Sequence, residues 1–231
     1  MNKGKLYGVG VGPGEKELLT LKAARILKEA DMIASPRTAK GGRAAYDIAS
    51  EYIDENKLVE YTMPMTKNIS ELEENYRKIA DDIEQYLKKG LNVAFITLGD
   101  VTVYSTYMQV DSIIKERGYE TELIPGITSF CAAAAKLGMP LCERDEPLVI
   151  MPASYNIDEG LMRLPGTKVF MKAGRDAVSL CERLRGEGEL ENIVMVENCG
   201  MDNERIRYNI DIKELEENRP SYFTVFITKQ K

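Results

Sequence analysis

Three short stretches hold the side chains and backbone shapes that can do chemistry. Leu98-Gly99-Asp100 sets a carboxylate directly after an apolar run and a residue without a Cβ. Gly12-Pro13-Gly14-Glu15 and Pro125-Gly126-Ile127-Thr128-Ser129 are the other two. The chain contains no histidine, which removes Ser-His-Asp and Cys-His catalysis, histidine-held metals and the commonest general base. Chemistry then has to run on carboxylates, tyrosines, lysines, backbone groups or a bound cofactor. Two plainer readings stand beside this one: Asp100 as the cap of the helix that follows it, and Thr128 as the cap of the next.

The elements around these stretches decide what they can reach. Residues 93–98 (VAFITL) lack polar alternation, the pattern of a strand buried on both faces of a helix-covered parallel sheet. Ligands of open α/β sheets bind at the carboxyl ends of such strands. Residues 5–11 (KLYGVGV) predict a second strand, followed by a helix from Glu15 to Ala30. The glycines between them do not make a dinucleotide fingerprint, because Pro13 and Glu15 occupy the third-glycine positions of G-x-G-x-x-G in its two registers. The next strand, residues 32–35, runs into Pro36-Arg37-Thr38, with no acid to hold ribose hydroxyls. That counts against NAD binding and against the common Rossmann-type methyltransferase.

Further along, Ser70-Glu71-Leu72-Glu73 fits a capping box, opening an amphipathic helix that Gly90 closes. The second half repeats the rhythm in shorter pieces, and residues 205–210 (RIRYNI) alternate like an antiparallel edge strand. The prediction is an α/β protein of two α/β domains: residues 1–118 with a parallel sheet, and residues 119–231 with a mixed one.

Composition narrows the partners. The 231 residues carry a formal net charge of −6, which disfavours nucleic acid and acidic membrane surfaces. No apolar stretch approaches the ~20 residues that span a bilayer, and the expected location is the cytoplasm. Cys131, Cys142, Cys181 and Cys199 are too far apart for a zinc or redox motif, so they read as reduced core thiols.

Four stretches occur in order: G-V-G-V-G-P-G with L-L-T-L-K-A, L-G-D-x-x-x-Y, I-P-G-I-T-S with an alanine-rich helix, and V-F-M-K-A-G-R. Together they resemble the tetrapyrrole (corrin/porphyrin) methylase family over nearly the whole chain. The resemblance implies an S-adenosylmethionine (SAM) cleft between two α/β domains, S-adenosylhomocysteine (SAH) as product, and a homodimer. It also implies SAM contacts at Pro13, Leu98, Gly99, Asp100, Val103, Thr128, Ser129, Met171, Cys199 and Thr224. The surroundings of Cys199 and Thr224 only approximate the family pattern, and Glu15 replaces its usual Asp.

Within the family, Y-S-T after Gly-Asp and E-R-D-E at residues 143–146 resemble the branch that methylates C20 of precorrin-2 or cobalt-factor II. A sibling acting at another ring carbon is the alternative within the family. A non-catalytic nucleotide-binding module is the alternative outside it. Methyl transfer to an electron-rich ring carbon needs orientation and a dry site more than a histidine. Asp100, Tyr104 and Glu143 are candidates for assisting proton loss, and the sequence assigns the role to none. The polycarboxylate substrate needs cations, for which Arg37, Lys40 and Arg43 are candidates, or else solvated loop charges. Cobalt, if present, arrives inside the substrate; the chain has no ligand set of its own.

Overall fold

In a computed structural model, which describes residues 3–64, 66, 68–155 and 157–228, the chain divides into two units, Met1–Thr128 and Ser129–Lys231. The first runs β1 (Leu6–Gly10), α1 (Leu21–Glu29), β2 (Met32–Thr38), α2 (Ala44–Ala49), β3 (Leu58–Met63), α3 (Ile69–Lys88), β4 (Val93–Thr97), α4 (Tyr107–Glu116) and β5 (Thr121–Ile124). The second runs α5 (Ser129–Leu137), β6 (Leu148–Pro152), α6 (Glu159–Met162), β7 (Thr167–Met171), α7 (Ala177–Gly186), β8 (Ile193–Glu197), β9 (Arg205–Arg207), α8 (Ile212–Glu217) and β10 (Thr224–Thr228).

The first sheet has the order β3-β2-β4-β1-β5, with every pairing parallel. Side chains alternate across it. Val9, Ala94 and Ile96 pack with Ala23, Ile26 and Leu27 of α1 and Ile48 of α2. Leu6, Val93 and Phe95 pack on the other face with Ile79 and Ile83 of α3 and Val110 of α4. Burying each such large side chain contributes about 1.5–3 kcal/mol, which is why the central strands carry no polar alternation. The helices that follow adjacent β1 and β4 therefore lie on opposite faces, the arrangement that puts ligand sites at the carboxyl edge of an open sheet. In the second unit the order is β6-β7-β10-β8-β9; β6 and β7 are parallel and the remaining pairs antiparallel. The edge strand expected over residues 205–210 is present as β9 but covers only Arg205–Arg207.

Local chemistry departs from the sequence reading at several places. The helix expected from Glu15 is broken: a 3-10 turn covers Lys16–Leu18, and Thr20 caps α1 by accepting from Ala23 N–H. The cap of α3 is Asn68, whose side chain accepts from Ser70 and Glu71 N–H, and Ser70 already lies inside the helix. Asn and Ser cap about equally well, so the pattern S-x-x-E gave no means of ranking them. Asp100 is not a helix cap, since α4 begins at Tyr107 with Thr106 as its cap residue. Cys181 and Cys199 are buried but Cys131 and Cys142 are exposed, so the core-thiol expectation holds for two of the four. Burial pushes the Cys181 thiol up to about 12. Among the described residues, no helix is long and apolar enough to cross a membrane.

Candidate functional site

At the carboxyl edge of the first sheet, backbone meets backbone. Gly12 and Gly99 form an antiparallel bridge: Gly99 N–H donates to Gly12 O at 2.7 Å and Gly12 N–H to Gly99 O at 3.2 Å. Below it, Val11 N–H donates to Thr97 O at 3.0 Å. The loop after β5 closes onto this pair so tightly that a Cβ on Gly126 would stand 2.2 Å from Gly99 O and 2.7 Å from Gly10 C. Gly99 is glycine for another reason, its φ of +71°. A Cβ there would meet only Ile127 O, at 3.9 Å, so the space above it is open.

Asp100 ties the edge together. Its Oδ2 accepts from Gly126 N–H at 2.9 Å, and its Oδ1 accepts from Thr102 N–H at 2.8 Å and from the Thr102 hydroxyl. The residue is 9% exposed, and charge-assisted bonds of this kind are roughly twice as strong as neutral ones. Behind it, Thr97 Oγ1 and Ser105 Oγ lie 3.1 Å apart, and Ser105 Oγ accepts from Tyr107 N–H at 3.2 Å. Tyr104, between them, has φ +49° and is 42% exposed. Pro13 is buried on the β1 loop, while Leu98 and Val103 are half-buried on the β4 loop. Thr128 directly precedes α5. Thus the predicted residues of the first unit, Pro13, Leu98, Gly99, Asp100, Val103 and Thr128, all lie on three loops of one sheet edge, and hydrogen bonds join those loops.

In the second unit, Met171 ends β7, Cys199 follows β8, and Thr224 opens antiparallel β10 opposite Glu197. All three therefore share one edge of that sheet, whereas Ser129 opens α5. Ser221 knits the edge: its N–H donates to Glu197 Oε1 at 2.7 Å and its hydroxyl to Asn198 Oδ1 at 2.6 Å. Thr224 Oγ1 donates to Ser221 O at 2.7 Å. Lys172 and Asn198 both hold positive φ, 57° and 52°, a strained shape that concentrates at ligand sites. Burial lowers the Lys172 pKa.

The cationic group is built differently from expectation. Arg37 lies within β2, which extends through Thr38 by pairing with Met63 of β3. Its Nε donates to Thr62 Oγ1 at 3.2 Å, and its Nη1 stands 3.8 Å from Glu60 Oε2. Arg43 Nε is 3.0 Å from Glu60 Oε1, in a contact without hydrogen-bond alignment, and its guanidinium covers the Tyr46 ring at 4.0 Å. One carboxylate thus faces two guanidiniums, while Lys40 is exposed on the turn between β2 and α2. Glu60, Thr102 and Ser221 are not among the residues expected from the sequence, and Gly126 is named there only as part of its loop. Asp-x-Thr spacing after a strand was a signal for Thr102; nothing local marked Glu60. A surface depression of about 270 Å³ near Thr62, Glu71, Asn75 and Lys78 contains none of the predicted residues.

These features define an α/β protein whose candidate site sits on glycine loops at strand ends and has no ribose-binding acid after β2. The family model of the tetrapyrrole (corrin/porphyrin) methylases matches residues 5–216. A Methanocaldococcus jannaschii protein named as a probable cobalt-precorrin-2 C(20)-methyltransferase is 43% identical over 156 residues. That match covers 67% of this chain and 66% of the relative, so it spans just under two thirds of that protein. The cobalt-precorrin-2 C(20)-methyltransferase of Salmonella typhimurium is 31% identical over 98% of this chain and 97% of its own length. The fold is that of uroporphyrin-III C-methyl transferase from Thermus thermophilus, solved with S-adenyl homocysteine: TM-score 0.73, 23% identity, 98% of each chain. The chain belongs to the tetrapyrrole (corrin/porphyrin) methylase family.

Proposed function

We propose that this chain is a SAM-dependent C-methyltransferase that methylates C20 of precorrin-2 or cobalt-factor II in cobalamin biosynthesis. The observation that carries the reading is the joined edge of the first sheet, where Asp100 holds the β4 and β5 loops together beside the Gly12–Gly99 bridge. The M. jannaschii and S. typhimurium relatives support the choice of ring and carbon. Residues 98–103 carry one carboxylate and no basic side chain, and the open space above Gly99 lets a ligand approach backbone closely. Both features suit a cationic sulfonium nucleoside.

SAM supplies an electrophilic methyl group that needs no protein base to activate it. On the family resemblance we assign donor contacts to Pro13, Leu98, Gly99, Asp100, Val103, Thr128, Ser129, Met171, Cys199 and Thr224. Asp100, already committed to Gly126 and Thr102, is a positioning group. The protein's share of the rate is orientation and exclusion of water. On the family resemblance we assign a homodimer in the cytoplasm, the former to be read from sedimentation.

Arg37, Lys40 and Arg43 take carboxylates of the ring, with Glu60 as the counter-charge the substrate displaces. Glu60→Gln is therefore expected to lower the tetrapyrrole KM severalfold and leave the SAH Kd unchanged. An unchanged KM would assign the three cations to surface solvation. The whole reading is tested anaerobically with methyl-labelled SAM and two rings side by side, metal-free precorrin-2 and cobalt-loaded sirohydrochlorin. NMR signal from a methyl at C20 is the expected outcome. A methyl at another carbon would make the protein a sibling enzyme, and failure of SAH to bind in calorimetry would remove the donor assignment.

A further inference from the structure

Three loops of the second unit adjoin beside Met171 and Thr224. Ala153, just after β6, donates its N–H to Met171 O at 2.8 Å, and Ala173 donates to Thr224 O at 3.4 Å. A Cβ on Gly174 would stand 2.0 Å from Ser221 O, so the loop after β7 lies directly on the loop before β10. Each loop turns one large side chain outward: Tyr155 is 67% exposed, Tyr222 is 40% exposed, and Arg175 is exposed. Among the described residues Arg175 has no ion pair, in contrast to Arg37 and Arg43 on their shared glutamate. Burial raises the phenol pKa of Tyr222; Tyr155 adds to the rise and Arg175 opposes it, which makes the three electrostatic neighbours. Two aromatic faces and an uncommitted guanidinium match a flat, electron-rich ring fringed with carboxylates.

We infer that Tyr155, Arg175 and Tyr222 form a substrate-contacting surface on the second unit, the phenol rings lying against the macrocycle and Arg175 taking a peripheral carboxylate in a fork pair. The inference rests on the tetrapyrrole reading above and adds to it a set of specificity residues outside the cofactor loops. A competing role for Tyr222 is packing, since its ring meets Phe223 edge-on at 5.6 Å. Stacking of the donor's adenine on the same rings is the other.

Direct titration with cobalt-sirohydrochlorin, followed by the ring's own absorbance, separates these roles when run beside SAH calorimetry and initial rates. Arg175→Ala should raise both the ring Kd and the ring KM about tenfold or more, with kcat and the SAH Kd near wild type; Arg175→Lys should recover part of the loss. Tyr222→Phe should bind the ring normally, while Tyr155→Leu and Tyr222→Leu should each weaken it severalfold. Ring binding unchanged in all variants would overturn the inference while wild-type turnover left the methylase reading standing. An SAH Kd that moves in step with the ring Kd would hand the surface to the donor and overturn it equally. A wild-type protein that binds neither ring nor SAH would overturn both.

Discussion

Asp100→Ala is expected to weaken SAH binding by roughly 5- to 150-fold while the chain stays folded. The substitution leaves the N–H groups of Gly126 and Thr102 without the carboxylate that accepts from both. A buried donor stripped of its acceptor costs about 1–3 kcal/mol, and each 1.4 kcal/mol is tenfold in affinity. The loss falls on the fit between two loops, not on a core, so circular dichroism should report native secondary structure. Asp100→Asn keeps one acceptor oxygen for two donor directions and should fall between. Calorimetry with SAH is the measurement, and an affinity equal to wild type would contradict the assignment of this edge to the donor.

Gly126→Ala should do more damage with one methyl group. Its Cβ would lie 2.2 Å from Gly99 O and 2.7 Å from Gly10 C, with backbone on both sides and no flexible side chain to give way. The loops have to separate, and forced expansion of a packed contact costs about 1–3 kcal/mol or more. Domains of 60–250 residues lose ~2–8 °C of Tm per kcal/mol, so a drop of several degrees together with loss of SAH binding is expected. Gly186→Ala is the control: nothing lies within 4 Å of its Cβ, and it sits in the last turn of α7. A Gly126→Ala protein with the melting point and SAH affinity of wild type would mean that the loops are not held at contact distance in solution.

What was legible in the sequence follows from how local its cause was. Strands such as Val93–Thr97 were visible because burial on both faces demands an unbroken apolar run. The amphipathic repeat of α3 was visible because one helix face packs and the other is wet. The three glycine-loop stretches stood out because tight backbone turns restrict residue choice. The missed features are those in which several residues suit the same local role or the partner is distant. Thr20 interrupts the helix expected from Glu15 because a capping side chain competes with helix continuation. Glu60 pairs with Arg37 and Arg43 only because β2 runs on to Thr38 beside β3, and a register between parallel strands leaves no short-range trace. Gly126 stands out in the sequence only as part of its loop, whereas its lack of a side chain is required by Gly10 and Gly99 far away in the chain.

The placement of β1 has a consequence for how the protein is made. Leu6 pairs with Val93 on one side and with Thr121 on the other, so the strand finds no neighbour among the residues that immediately follow it. At a ribosomal rate of ~5–20 residues per second, its unpaired backbone waits on the order of ten seconds before β5 arrives to flank it. Helices α1 to α3 can coil in that interval, but the sheet they cover stays unclosed. Such dependence on non-local contacts slows folding and leaves a nascent chain that a holding chaperone would protect.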